Sequence, residues 1–258
     1  MGEGNGRFDL RGRVVIVTGG ATGIGRVYSE RLAEAGARVV VADLNGADAE
    51  QAAREIAAGG GAAIAVAADI SSETATRRMA QAAVERWGAI DGLVNNAGLM
   101  STLERRPWHQ IPVAEWDRVM EVNLRGLFLS CLACYPQMKK QGRGAIVNVS
   151  STRVFEGIPN RLHYTTSKAG VIGFTRAIAR ELGPEGIRVN CITPGITVSA
   201  TQAATSDPAY LEMQAKGRSI PRTQVPDDLV GTVMFLLSDA SGFMTGQTLN
   251  VDGGKVFH

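Results

Sequence analysis

Short β-branched apolar runs alternate with longer stretches of helical periodicity along most of this chain. The runs are RVVIV (13–17), RVVVA (38–42), AAIAVA (62–67), GLVN (92–95), AIVNV (145–149), RVNCI (188–192) and QTLNV (247–251). Their length suits strands, and their near-continuous apolarity suits strands covered on both faces. Between them the periodicity predicts helices over about 24–35, 46–58, 72–87, 113–140, 163–182 and 226–238. Such alternation predicts βαβ units and a parallel sheet.

Local punctuation supports these spans. Gly36 is placed to stop the first helix, Ser71 to cap the third, and Pro226 with Asp227 and Asp228 to start the last. No Pro/Gly/Ser-rich linker interrupts the alternation, so one domain over 1–258 is expected. The stretch with the weakest signals, 194–225, is long enough to serve as a substrate loop or lid.

Composition narrows the partners. With 258 residues, 45% hydrophobic and 20% charged, the chain can bury a full core. Its 27 basic and 25 acidic residues leave a formal charge of +2 with no long run of one sign, which points away from nucleic acid and membrane surfaces and toward small molecules. No apolar stretch approaches the roughly 20 residues of a membrane span, and MGEGNGRFDL lacks the features of a secretory signal, so a cytoplasmic protein is expected. Cys131, Cys134 and Cys191 make an odd count that argues against a disulfide framework. The CxxC spacing of the first two lies in the apolar run LFLSCLACY and reads as core. No second Cys/His pair has ligand spacing, and no metal site is expected.

The first chemical signal follows the first strand. Thr18-Gly19-Gly20-Ala21-Thr22-Gly23-Ile24-Gly25 leads into Val27, Tyr28 and Leu32 at helical spacing. A glycine turn entering a helix lets backbone approach a pyrophosphate, which the helix N-terminus then holds. Asp43 ends the second strand 20 residues after Gly23, where a carboxylate can accept hydrogen bonds from the ribose hydroxyls of NAD and repel the 2′-phosphate of NADP. Thr22, Leu44 and Asn45 supply no compensating cation, so NAD is the expected cofactor. The alternative role for Asp43 is a cap on the helix beginning near Gly46.

The second signal is Tyr164 and Lys168, four apart at the head of a predicted helix and so on one face. A phenol with pKa about 10 becomes a useful base when an ammonium stabilises its anion. Ser150 and Ser151 follow the fifth strand, at the sheet edge where open α/β folds bind ligands. Either hydroxyl can hold a substrate oxygen, and residue chemistry does not separate them.

Taken together, these motifs resemble the short-chain dehydrogenase/reductase family in its compact form. The resemblance runs nearly end to end: the TGGATGIG turn, Asp69, Asn95-Asn96-Ala97-Gly98, Asn123 in MEVN, Ser151, Tyr164-Thr-Thr-Ser-Lys168, Pro194-Gly195 and Val251-Asp252-Gly253-Gly254. It implies a Rossmann-type doubly wound α/β fold with a seven-stranded parallel sheet and helices on both faces. It also implies a homotetramer.

The resemblance assigns roles that spacing alone does not. Ser151, thirteen residues before the tyrosine, would orient the substrate, and Tyr164 would be the general acid/base. Lys168 would bind the nicotinamide ribose and lower the tyrosine pKa, while Asn123 would hold a water relaying protons to that lysine. For the cofactor it implies Gly19, Thr22, Gly23 and Ile24 at the turn, and Asp43 with Leu44 at the ribose. Asp69 would receive the adenine amino group beside Ile70. Asn95, Asn96, Ala97 and Gly98 would line the groove, and Pro194, Gly195 and Thr197 would hold the carboxamide end. Two departures are mild: Ser199 stands where many members have Thr, and Thr165-Thr166 replaces a more usual Ser-Ala.

The segments GVIGFTRAIARELG and IPRTQVPDDL and the ending TGQTLNVDGGKVFH are similar to NAD-dependent aryl- and secondary-alcohol dehydrogenases, including those for 1-phenylethanol and pyridoxal. The expected pocket draws on Leu99, Met100, Arg153, Phe155, Asn160, His163 and the 194–220 loop. Arg153, Arg161 and His163 could bind an anion or stand as solvated loop charges. The expected reaction interconverts a secondary alcohol and a ketone. The alternatives are reduction of a 3-oxoacyl thioester and an NAD-binding sensor without catalysis.

Overall fold

The computed structural model describes residues 6–199 and 207–257. Seven parallel strands form one sheet: β1 (Val14–Thr18), β2 (Arg38–Asp43), β3 (Ala62–Ala67), β4 (Gly92–Asn95), β5 (Gly144–Val149), β6 (Ile187–Pro194) and β7 (Thr248–Val251). Their order is β3-β2-β1-β4-β5-β6-β7. The fold is thus the doubly wound α/β sheet that the apolar runs and the resemblance imply, with each strand within two residues of its expected span.

The two-sided cover follows from alternation along each strand. On β1, Val15 and Val17 pack against Tyr28 and Leu32 of α1 (Gly23–Glu34), Ala52 of α2 (Gly46–Ala58) and Leu229 and Val233 far along the chain. Val14 and Ile16 face the other way, toward Met79 of α3 (Glu73–Trp87). Cys131, Cys134 and Met138 join that second core, and all three cysteines are free and buried.

The expected helix over 113–140 is a continuous path with a break in its winding. It comprises α4 (Val113–Met120), a π turn (Glu121–Arg125) and α5 (Gly126–Gln141). The Gly126 amide reaches back to the Glu121 carbonyl, five residues away. Such widened turns are frequent at functional sites, and Asn123 lies on this one. Downstream come α6 (Arg153–Glu156), α7 (Leu162–Leu182), α8 (Pro208–Lys216) and α9 (Asp227–Leu237). No described helix is long and apolar enough to cross a membrane.

Two expectations need correction. Ser71 does not cap α3; Ser72 does, accepting from Ala75 N at 3.3 Å, because the Ser71 hydroxyl is committed to Asp69 at 2.7 Å. The 194–225 stretch is more ordered than a plain loop: Thr197 bridges Gln224, and Asp207 caps α8, which the helix-starting Pro208 opens. Residues 200–206 of that loop lie outside the described residues.

Topology places the site. After β1 the chain runs outward through β2 and β3, then returns to lay β4 on the other side of β1. This reversal opens a crevice beyond the carboxyl ends of β1 and β4, where ligands of open α/β sheets sit. Thr18 and Asn95 are partners at that edge.

Candidate active site

The turn after β1 has the conformation its glycines predict. Gly19 and Gly23 take φ of +61° and +56°, a region that strains residues with a Cβ. Gly25 serves packing: a Cβ there would stand 2.0 Å from the Gly19 carbonyl oxygen. Gly25→Ala is therefore expected to destabilise the fold by about 2–3 kcal/mol or more and to abolish dinucleotide binding, read by urea unfolding and nucleotide titration.

At the head of α1, Thr22 makes no side-chain cap and the first turn carries no acid. By contrast, Asn45, Ser72 and Asp207 cap α2, α3 and α8. The α1 amides are thus left for a ligand, and the dipole end favours an anion. A Cβ built on Gly23 would meet nothing closer than Ser199 Oγ at 3.9 Å, so space lies open above the turn. These features fit a pyrophosphate.

Asp43 is oriented toward this turn. Its carboxylate accepts from Ala21 N and Asn45 N, both at 3.1 Å. It is not the cap of α2, since the Asn45 side chain performs that function. Leu44 beside it is exposed. Arg26, the one cation within the first turn of α1, is held by Glu30 and Glu55. Asp69 turns back on its own loop, accepting from Ser71 N and Oγ, and these bonds hold its carboxyl below the usual range. Ile70 beside it is buried and packs so closely on Gly126 that a Cβ there would lie 2.7 Å away.

The Asn-Asn-Ala-Gly segment divides between two tasks. Asn95, expected to line the groove, instead points into the protein: its amide donates to Asn148 Oδ1 at 2.9 Å, and Asn148 donates to Thr175. Asn95 is buried beneath the sheet edge because strand alternation turns it away. Asn96 faces the turn, donating to the carbonyls of Thr18 and Gly19 at 3.1 and 3.2 Å. Thr18, the first residue of the turn motif, to which the sequence alone assigns no role, accepts the Asn96 and Ala97 amides on its hydroxyl and joins the two strand ends. Gly98 lets the backbone pass between Asn123 and Lys168: a Cβ there would stand 3.1 Å from Asn123 Oδ1 and 3.5 Å from Lys168 Nζ.

Tyr164 and Lys168 share one face of α7, with the ammonium 5.8 Å from the ring centroid. Both are buried. Lys168 Nζ donates to the Val149 carbonyl at 2.8 Å and, without a carboxylate partner among the described residues, is pulled by burial down to about 8. Burial pushes the Tyr164 phenol up, against the opposing influence of the Ser151 hydroxyl and the charges of Arg153 and Arg161.

The two serines are now distinguished. Ser150 donates to the Lys168 carbonyl at 2.7 Å and braces α7, whereas the Ser151 hydroxyl accepts the Arg153 amide at 3.3 Å and favours the ionised form of the Tyr164 phenol. Asn123 bonds the Leu99 amide at 2.7 Å and carbonyl at 3.2 Å, and donates to Ser167 Oγ at 3.0 Å. Ser167 in turn donates to the Tyr164 carbonyl. Through these bonds the π turn fixes the start of α7. Ser167 was missed at the sequence level because a serine inside a helix carries no distinguishing pattern.

Around the phenol, Leu103 and Val119 pack with Leu99 and Met100. His163 is not in the pocket. It is fully buried and its Nε2 lies 3.0 Å from Glu115, tying α7 to α4. Asn160 is exposed and holds the one left-handed φ among the described non-glycine residues. Pro194 and Gly195 continue β6, Gly195 too close to Asp252 and Gln224 to admit a side chain, and Thr197 is buried beside them.

Comparison with known proteins agrees with this architecture. A family model described as enoyl-(acyl carrier protein) reductase matches residues 19–255. A probable galactose dehydrogenase of Rhizobium meliloti is 40% identical, covering 95% of this chain and 96% of its own. A 3-oxoacyl-[acyl-carrier-protein] reductase of Synechocystis is 36% identical over 96% of this chain and 98% of its own. The solved structure of a 7 alpha-hydroxysteroid dehydrogenase complexed with NADH and 7-oxo glycochenodeoxycholic acid superposes with a TM-score of 0.91 at 33% identity, covering 98% of this chain and 97% of that one. The chain belongs to the short-chain dehydrogenase/reductase family of oxidoreductases.

Proposed function

We propose that the protein is an NAD(H)-dependent oxidoreductase that interconverts a secondary alcohol and a ketone, with Tyr164 as general acid/base. The observation that carries this reading is the convergence of Ser151, Tyr164 and Lys168 at the sheet edge beyond the glycine turn. A nicotinamide dinucleotide, when bound, supplies the hydride acceptor or donor. The residues do the rest.

Ser151 holds the carbinol oxygen. Tyr164 takes its proton in oxidation and returns it in reduction. Lys168, protonated below about pH 8, stabilises the phenolate by its charge and serves the nicotinamide ribose. The Asn123 amide is committed to Leu99 and Ser167, so a water relaying protons to Lys168 would rest on its main chain. Gly19, Thr22, Gly23 and Ile24 cradle the pyrophosphate. Asp69 and Ile70 serve the adenine, Asn96, Ala97 and Gly98 the groove wall, and Pro194, Gly195 and Thr197 the carboxamide.

NAD over NADP rests on Asp43, whose carboxylate suits ribose hydroxyls and opposes a phosphate. Leu44 and Thr22 are neutral, and Arg26 is already paired. The test incubates purified protein with NAD⁺ or NADP⁺ across a panel of secondary alcohols, including 1-phenylethanol and cyclic alcohols. Turnover with NAD⁺ is expected, and Asp43→Ser should raise the NADP⁺/NAD⁺ ratio of kcat/KM by at least about tenfold, or 1.4 kcal/mol. Strict NADP⁺ preference in the unaltered protein would refute the assignment.

A further inference from the structure

The Tyr164 site is bordered by arginines with no acid to answer them. Arg153 opens α6 two residues after Ser151, and Arg161 precedes Tyr164 by three. Their stems therefore leave the chain beside the two groups assigned to the substrate oxygen. Arg105 completes the set from the 99–107 loop, its guanidinium 4.9 Å from the ring centroid of Tyr210 on α8.

Each of the two inner arginines meets only neutral acceptors. Arg153 donates to the carbonyls of Ile158 and Pro159, both at 3.2 Å. Arg161 donates to the Leu103 carbonyl at 2.9 Å and lies 3.1 Å from Met100 Sδ. The Nε of each is buried and unpartnered among the described residues. The acids nearby are spent: Glu156 is held by Lys255 and Thr152, both at 2.9 Å, and Glu104 and Glu115 are held by Arg106. Residues 200–206 contain no Asp or Glu.

Half-buried guanidinium groups without a counter-anion carry an uncompensated desolvation cost. Burial and the neighbouring arginines accordingly hold Arg153 and Arg161 below the usual guanidinium range. Arg106, in the same loop, shows the ordinary arrangement, with two carboxylates. Arg188 and Arg218 likewise meet only neutral acceptors, so it is the placement of Arg153 and Arg161 beside Ser151 and Tyr164 that marks these two as a site that a ligand's anion completes, and the planar fork favours a carboxylate.

We propose that the substrate is a secondary alcohol or ketone that carries a carboxylate, bound by Arg153 and Arg161 with Arg105 at the rim while its reacting oxygen meets Ser151 and Tyr164. The proposal rests on the reading of Tyr164 as the proton-transferring residue.

Two matched ketones test it by calorimetry on the NAD⁺-loaded protein, in which neither can be reduced, with turnover read separately in the presence of NADH: 4-acetylbenzoate and the neutral 4-methylacetophenone. The acid is expected to bind at least tenfold more tightly, with the advantage shrinking as salt rises. Arg153→Gln and Arg161→Gln should each reduce that ratio at least fivefold, and Arg161→Lys should restore part of it. Thermal unfolding verifies that each variant is folded. Equal binding of the two ketones by the unaltered protein would overturn the inference, whatever the turnover. Selective binding of the acid with no reduction of either ketone would leave the inference standing and overturn the proposed function instead.

Discussion

Tyr164→Phe is expected to lower kcat by about a thousandfold while NADH affinity changes by no more than a few-fold. The phenol is the acidic group placed against Ser151, and general acid/base catalysis contributes about 10²–10⁴-fold. Phenylalanine keeps the ring packed among Leu99, Met100, Leu103 and Val119, so the loss falls on proton transfer and not on the shape of the pocket. Steady-state kinetics and NADH fluorescence titration read the two quantities separately. A variant with near-normal kcat would remove Tyr164 from the mechanism.

Lys168→Met is expected to lower kcat by at least about a hundredfold and also to alter stability in a pH-dependent direction. Burial draws the ammonium down to about 8 from the ordinary 10.5. The unfolded chain therefore binds more protons than the folded one between about pH 8 and 10.5, and stability rises with pH through that window. Below pH 8 the folded protein carries the full cost of a buried charge. The methionine variant has no such term, though it leaves the Val149 carbonyl without its donor. Urea unfolding of the cofactor-free proteins at pH 7 and 10.5 is thus expected to show the unaltered protein gaining on the variant as pH rises. A gap that does not change with pH would contradict the burial argument.

Much of this was legible in the sequence, for identifiable reasons. Strands β1, β2, β4, β5 and β6, buried on both faces, read as near-continuous apolar runs, and even the partly buried edge strands β3 and β7 keep enough apolar residues that all seven fall within two residues of their predicted spans. The glycine turn and Asp43 were legible because each residue type answers one steric or electrostatic demand. The π turn was not, since its hydrophobic period differs from that of an α-helix by one residue in a single turn. Ser150 and Ser151 could not be separated because both follow β5, and only the position of α7 sends one to Lys168 and the other to Tyr164. Asn95 and His163 were misread for a related reason. A polar residue beside a motif looks functional until its burial and partners are known, and these two serve Asn148 and Glu115. Arg153 and Arg161 stood open between an anion site and solvated loop charges because the sequence does not show what a loop arginine meets, and their want of an acid is visible only in three dimensions.

The most direct measurement supplies NAD⁺ with a secondary alcohol deuterated at its carbinol carbon and locates the label by NMR. The proposed chemistry predicts deuterium at C4 of the reduced nicotinamide, in step with ketone formation, and only a trace of transfer in the same time from Tyr164→Phe. Deuterium appearing in solvent, or ketone forming without labelled nicotinamide, would contradict it.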